Sequence, residues 1–245
     1  MNIFDFEMLL RLIIAHVLSD FILQPDKWVK DKKERKILSK FFLFHGLVLF
    51  VLTWIALGTI SLFWLAFIIT IIHLIIDLGK AYLKSDNFWI FLLDQFCHFI
   101  TLVLAWSLYT NQSGFLLSKG TNLFWDQKIL ILITGYLIVT FPTSKVIWSL
   151  IKKWSHQDDP NQNSDESLKG GGKIIGILER VLIFTFVYLN QFEAIGLLLA
   201  AKSVFRFGDL TQAKDQRRTE YILVGTLLSF SIAIFIGIAI KKILG

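Results

Sequence analysis

Residues 42–80 read FLFHGLVLFVLTWIALGTISLFWLAFIITIIHLIIDLGK, two long apolar runs parted only by Gly58 and Thr59. Each run can cross the hydrocarbon core of a bilayer, which takes about 20 apolar residues in a helix. The pattern recurs along the chain, which is 55% hydrophobic and 15% aromatic. Spans are expected at about 4–24, 38–57, 60–79, 88–109, 128–151, 173–190, 193–207 and 219–240, the seventh short enough to be re-entrant. Within lipid every backbone polar group must be satisfied inside the protein, and runs of this length and apolarity do so as helices. The expected fold is all-α, a polytopic transmembrane helical bundle of about eight membrane helices, or about seven if one is re-entrant.

The polar stretch SHQDDPNQNSDESLKGGG (155–172) is poor in aromatic residues and reads as a disordered cytoplasmic linker. It divides an N-terminal transmembrane bundle, 1–154, from a three-helix C-terminal part, 173–245. Residues 1–14 carry Asp5 and Glu7 where a signal peptide carries positive charge, so no cleavable signal is expected. The single Cys97 excludes an intramolecular disulfide.

The second of the opening runs ends on His73 and Asp77, and the same spacing returns as His16/Asp20 and Asp94/His98. Residues four apart share one helix face. An ionisable side chain inside a membrane helix is costly and by default marks a functional site. With His45 these pairs make seven candidate ligands. Basic residues collect on alternate connections: Lys27, Lys30, Lys32, Lys33, Arg35, Lys36 and Lys40 on the first, Lys80 and Lys84 on the third, Lys152, Lys153, Lys169 and Lys173 on the fifth. The seventh, with its flanks, adds Lys202, Arg206, Lys214, Arg217 and Arg218. The positive-inside rule places these connections in the cytoplasm and both termini outside, although Lys241 and Lys242 run against it. On that topology each histidine lies about 6 Å deeper than its paired aspartate, and His45 falls in the same slab.

A layer of imidazoles beside a layer of carboxylates, without thiolates, suits a borderline divalent metal: zinc first, manganese or iron as alternatives. Seven ligands, His16, Asp20, His45, His73, Asp77, Asp94 and His98, suffice for two ions, or for one with outer carboxylates that orient the imidazoles. In a catalytic centre one of Asp20, Asp77 or Asp94 would serve as general base. The plainer reading is a packed polar core, with Asp77 paired to Lys80 three residues on. Gln24 extends the Asp20 stripe by one more step and is a candidate substrate contact. So are Arg180, Lys202 and Arg206, read as a rim for a phosphate or carboxylate; the alternative is ion pairing, with Glu179 or Glu220 neutralising Arg206. Gly170, Gly171 and Gly172 lack the strand and the Gly-Lys-Ser/Thr of a phosphate loop. The net charge of +6 is topological; it gives no support to nucleic-acid binding and favours anionic membrane lipid as a partner.

The stretches AHVLSDFILQ (15–24), HLIIDLGK (73–80) and DQFCH (94–98) resemble motifs of the bacterial membrane family called domain of unknown function 3307. So do GKIIGILER (172–180), AAKSVFRF (200–207) and EYILVGTLLS (220–229). The resemblance implies a bacterial inner-membrane protein and no reaction. A looser likeness of design is to the alkaline ceramidase and adiponectin-receptor superfamily, which also places His and Asp on several helices. Three functions follow from the residues: a metal-dependent hydrolase of a lipidic or phosphorylated amphiphile opening to the cytoplasmic leaflet, a divalent-metal or proton-coupled transporter, or a structural, partner-binding membrane protein. The pattern of spans does not fix an oligomeric state.

Overall fold

The computed structural model describes residues 3–83, 87–112, 126–155, 171–207 and 216–245. Among these, every regular element is helical. Helix α1 (Ile3–Val17) runs into a π-helical turn (Leu18–Ile22), followed by α2 (Asp26–Arg35) and α3 (Lys40–Leu57). A 3-10 turn (Ile60–Leu62) leads into α4 (Phe63–Tyr82); then come α5 (Phe88–Gln112), α6 (Gln127–Ser155), α7 (Gly171–Tyr188), α8 (Phe192–Phe207) and α9 (Gln216–Leu244). The chain is thus all-α, as its apolar runs imply.

Among the described residues, five helices are long and apolar enough to cross a membrane: α3, α4 with its 3-10 turn, α5, α6 and α9. The other three expected spans differ from these. Helix α8 has 16 residues, short of what a bilayer needs, and α1 has 15 and continues directly into the five-residue π turn. Helix α7 has 18 but carries Lys173, Glu179 and Arg180. The spanning helices show apolar residues outward as well as inward. On α3, Leu43, Leu47, Val51 and Ile55 form an exposed i,i+4 stripe, while Phe42, His45, Leu49, Thr53 and Leu57 face inward. A helix apolar on both faces belongs in lipid.

The chain divides into two compact units, 1–134 and 135–245, and the boundary falls within α6 rather than at the polar linker. The second stretch of α6 is tied to α7 by specific bonds, which is why it leaves the N-terminal unit. Tyr136 Oη lies 2.8 Å from Thr185 Oγ1, and Arg180 Nε donates to the Val139 carbonyl at 2.7 Å. Pro142 has no N–H and so leaves the Ile138 carbonyl without its helical donor; the Thr143 hydroxyl supplies one at 2.8 Å. Gly135 and Gly237 allow close packing here, since a Cβ at either would meet Phe184 or Val187 within 3 Å. Of the linker read at 155–172, residues 156–170 lie outside the described residues.

In the first unit, Leu9, Leu12, Leu57, Leu62, Leu65, Ala66, Ile69, Leu102 and Ala105 form a buried apolar core contributed by α1, α3, α4 and α5. Helices α3 and α4 form a tight hairpin, with Gly58 in the left-handed conformation (φ 70°) closing α3. Their approach depends on Gly46, where a Cβ would come 2.8 Å from Leu74 Cδ1. Gly46→Val should therefore push the two helices apart and lower the thermal unfolding midpoint in detergent well beyond Gly46→Ala, because the Leu74 tip can yield to one methyl group but not three. Equal melting of the two variants would show that this contact does not set the spacing.

Candidate metal centre

The polar cluster continues the core stripe of each helix. Leu9 and Leu12 lead to His16 on α1, Leu57, Thr53 and Leu49 to His45 on α3, Ala66 and Ile69 to His73 on α4, and Ala105 and Leu102 to His98 on α5. One step further along three of these stripes stand Asp20, Asp77 and Asp94. Helical spacing alone thus stacks an apolar floor, a histidine layer and an aspartate layer. All four histidines are buried, His45 and His98 to 0% and 1% exposure.

The structure brings all seven sequence-expected ligands into one cluster. Asp20 Oδ1 lies 3.4 Å from His73 Nε2, 3.5 Å from His45 Nε2 and 3.8 Å from His16 Nδ1. Asp77 Oδ1 lies 3.5 Å from His98 Nε2 and 3.9 Å from His73 Nε2, and its Oδ2 is 3.6 Å from His45 Nε2. Asp94 Oδ1 is 3.5 Å from the same His98 nitrogen. His45 and His73 approach Nε2 to Nε2 at 3.1 Å, so one ring donates and the other accepts. The His73 and His98 rings stack at 3.9 Å. Among the described residues, one donor atom each from Asp20, His73, Asp77 and His98 all lie within 4.8 Å of one another.

Asp20 owes its position to the π turn. Leu23 N donates to Leu18 O at 2.9 Å, an i to i−5 bond, where a continuous α-helix was expected across 4–24. Such single π turns often re-aim a side chain at a functional site. Buried Ser19 steadies it: its Oγ lies 2.9 Å from both the His16 carbonyl and Asp20 Oδ1.

Two lysines complete the cluster. Lys32 Nζ donates to Asp77 Oδ2 at 2.5 Å, and Lys80 Nζ to Asp94 Oδ2 at 2.6 Å, with Gln95 Nε2 adding a bond to that oxygen at 3.0 Å. Sequence reasoning offered Lys80 to Asp77; the structure pairs it with Asp94 and fills its place with Lys32. That lysine comes from α2, read from the sequence as a connection. Trp28 and Val29 turn inward on α2, with Trp28 stacked on Phe41 at 5.4 Å, and Lys32 follows one turn later. This apolar pair in a charged segment was the one available signal. Ser39 caps α3 by accepting from Phe41 N at 3.2 Å and donates to Asp31 Oδ2 of α2, which ties the two helices.

The expected substrate contacts are Gln24, Arg180, Lys202 and Arg206. Gln24 stands between the π turn and α2, its Nε2 buried without a hydrogen-bond partner among the described residues. Arg180 and Lys202 belong to the second unit. Arg180 gives its guanidinium to the carbonyls of Val139 and Thr140 and to the hydroxyls of Ser144 and Ser229, leaving no free fork for an anion. Lys202 pairs with Glu179 at 2.6 Å, so the neutralising partner of Glu179 is this lysine. The side chains of Arg206 and Glu220 lie outside the described residues.

Fold and site together define a polytopic helical membrane protein with a buried His/Asp cluster in its N-terminal unit. Residues 8–125 match the family described as protein of unknown function DUF3307. The match takes in all seven clustered residues; the similar motifs at 172–180, 200–207 and 220–229 lie outside it. No curated protein and no solved structure matches the chain.

Removing one partner of a buried ion pair strands the other charge, at a cost of about 3–5 kcal/mol. The side chains of Lys32 and Asp77 are 7% and 10% exposed. Lys32→Met should therefore destabilise the protein by about that amount, and Lys32→Met/Asp77→Asn should recover most of the loss. Denaturant unfolding of the two variants in detergent tests this. A double variant no more stable than the single one would mean that the pair carries no coupling.

Proposed function

We propose that the chain is an integral membrane metalloprotein, a metal-dependent hydrolase of a lipidic or phosphorylated amphiphile. The observation that carries the reading is the preformed donor set. Around a tetrahedral zinc ion with bonds of about 2.0–2.1 Å, neighbouring ligand atoms stand about 3.3 Å apart. One donor atom from each of Asp20, His73, Asp77 and His98 already lies within 4.8 Å of the others, and the Asp20–His73, His73–Asp77 and Asp77–His98 pairs stand at 3.4, 3.9 and 3.5 Å. Buried His98 Nε2 and Asp94 Oδ1 have no hydrogen-bond partner among the described residues, a cost that an ion would remove. Nitrogen and oxygen donors without thiolate suit zinc, with manganese or iron as alternatives.

In this reading Asp20, His73, Asp77 and His98 hold the ion, while His45 and His16 orient the carboxylate of Asp20. Bound there, a divalent ion supplies a Lewis acid that brings the pKa of water towards about 7. Asp94 Oδ1, buried and unpaired beside His98, is the group placed to accept a proton from it. Lipid as the source of substrate is supported by the placement of His45, His73 and His98 on membrane-spanning helices. An apolar cavity of about 220 Å³ along α1, lined by Arg11, Ile14, Leu18, Leu52, Ile55 and Leu130 among others, has room for part of an acyl chain. Lys32 bonds at the aspartate end of the cluster, and it belongs to the most basic connection. The positive-inside rule then turns that end towards the cytoplasm, and the family resemblance suggests a bacterial inner membrane.

A transporter is the second reading. The π turn interrupts the ligand-bearing α1 at Asp20, and interrupted helices are where transporters place ion sites.

Metal analysis of the detergent-purified chain is the test. The parent protein should carry a stoichiometric divalent ion, and His73→Ala/Asp94→Asn should lose it by at least about tenfold in affinity. A metal-free parent that also takes up none of the three metals would end both readings. With metal present, ion flux into sealed liposomes would favour transport; metal-dependent release of product from phospholipid or ceramide vesicles would favour the hydrolase.

A further inference from the structure

Lys32 and Lys80 do more than neutralise. Each binds the outer oxygen of its carboxylate, Asp77 Oδ2 at 2.5 Å and Asp94 Oδ2 at 2.6 Å. The inner oxygen of each carboxylate lies 3.5 Å from His98 Nε2. The ammonium groups thus fix which oxygen of Asp77 and of Asp94 faces His98 and leave those two oxygens free of lysine, while Asp77 Oδ2 also lies 3.6 Å from His45 Nε2. At ordinary charges, three carboxylates and two ammonium groups amount to one net negative charge. The four histidines, as neutral imidazoles, change nothing in that sum. One divalent ion turns the centre to a single positive charge, which hydroxide or a phosphate or carboxylate group of a substrate then balances. A second divalent ion would leave three positive charges in a cluster whose carboxylates and imidazoles are almost wholly out of water, and buried uncompensated charge is heavily penalised. Two-metal sites at about 3.5–4 Å spacing also use carboxylates through both oxygens as bridges, and here the lysines hold the outer ones.

We infer that Lys32 and Lys80 are built-in counter-cations that hold this centre to one divalent ion and set its affinity. The inference rests on the metal reading above and resolves its choice between one ion and two. Both are positioning residues, since they act through Asp77 and Asp94. Their sign distinguishes this role from a merely structural one. A structural lysine, once removed, weakens binding because the site loosens. A counter-cation, once removed, tightens it because a repelling charge has gone.

Lys80 is the residue to change, since its side chain is 28% exposed. Purified full-length protein would be loaded with excess Zn2+, desalted and analysed for zinc per chain, and its affinity read by chelator competition. The parent should hold one zinc. Lys80→Met should bind it on the order of tenfold more tightly, and Lys80→Arg should match the parent. Unchanged or weakened affinity in Lys80→Met overturns the inference. So do two zinc ions in the parent, which would leave the metal centre itself standing. A parent that takes no zinc overturns the centre and the inference together.

Discussion

Three carboxylates held out of water are the constraint around which the first unit is arranged. A buried carboxylate without compensation costs several kcal/mol, so each must be met by donors or cations from elsewhere in the chain. Asp77 is met by Lys32 and Asp94 by Lys80. Asp20 has no lysine; Ser19 and the imidazoles of His16, His45 and His73 surround it instead. The demand explains features that otherwise look incidental. Helix α2 lies against α3 and α4 because it delivers Lys32, and the Ser39–Asp31 bond pins it there. The hairpin of α3 and α4 closes on a glycine because His45 and His73 must meet.

The second unit obeys the same rule with the sign reversed. Arg180 is a buried cation, and no carboxylate is bonded to its guanidinium among the described residues. Backbone carbonyls of Val139 and Thr140 answer it instead. With the bonds to the hydroxyls of Ser144 and Ser229, they tie Arg180 of α7 to α6 and α9. That use of Arg180 also explains why a phosphate-gripping role, reasonable from its position among Lys202 and Arg206, finds no support in the geometry.

The parts legible from sequence were those that helical periodicity fixes locally. His16/Asp20, His73/Asp77 and Asp94/His98 share faces because residues four apart must, and their common depth order already implied a single layered cluster. His45 joined by depth alone. Less legible were features set by tertiary partners. Seven basic residues in the first connection look alike, and only the inward face marked by Trp28 and Val29 separates Lys32 from the rest. Lys80 lies three residues from Asp77 in sequence, yet its stem carries it to α5 and Asp94. No residue type encodes a π turn, so the change of register at Asp20 was invisible. The length of α1 followed from the same miss, since one apolar run became a short helix and a turn.

The geometry bears on the choice between resident and travelling ion. A transported ion must enter and leave, so its cage has to open and its carboxylates must accept other partners in the emptied state. Here the competing cations occupy Asp77 Oδ2 and Asp94 Oδ2, away from the inner oxygens beside His98. An ion can settle among the inner donors without displacing a lysine, and losing it gives the lysines no new bond. The donors also stand close to coordination spacing before any ion is added. Preorganisation of this kind lowers the cost of holding a catalytic metal in one geometry. It would hinder a carrier, which gains from binding sites that change between states. The interrupted α1 remains the one feature that favours movement, and it affects a single ligand, Asp20. The balance of the cluster therefore favours the proposed fixed metal centre over the carrier.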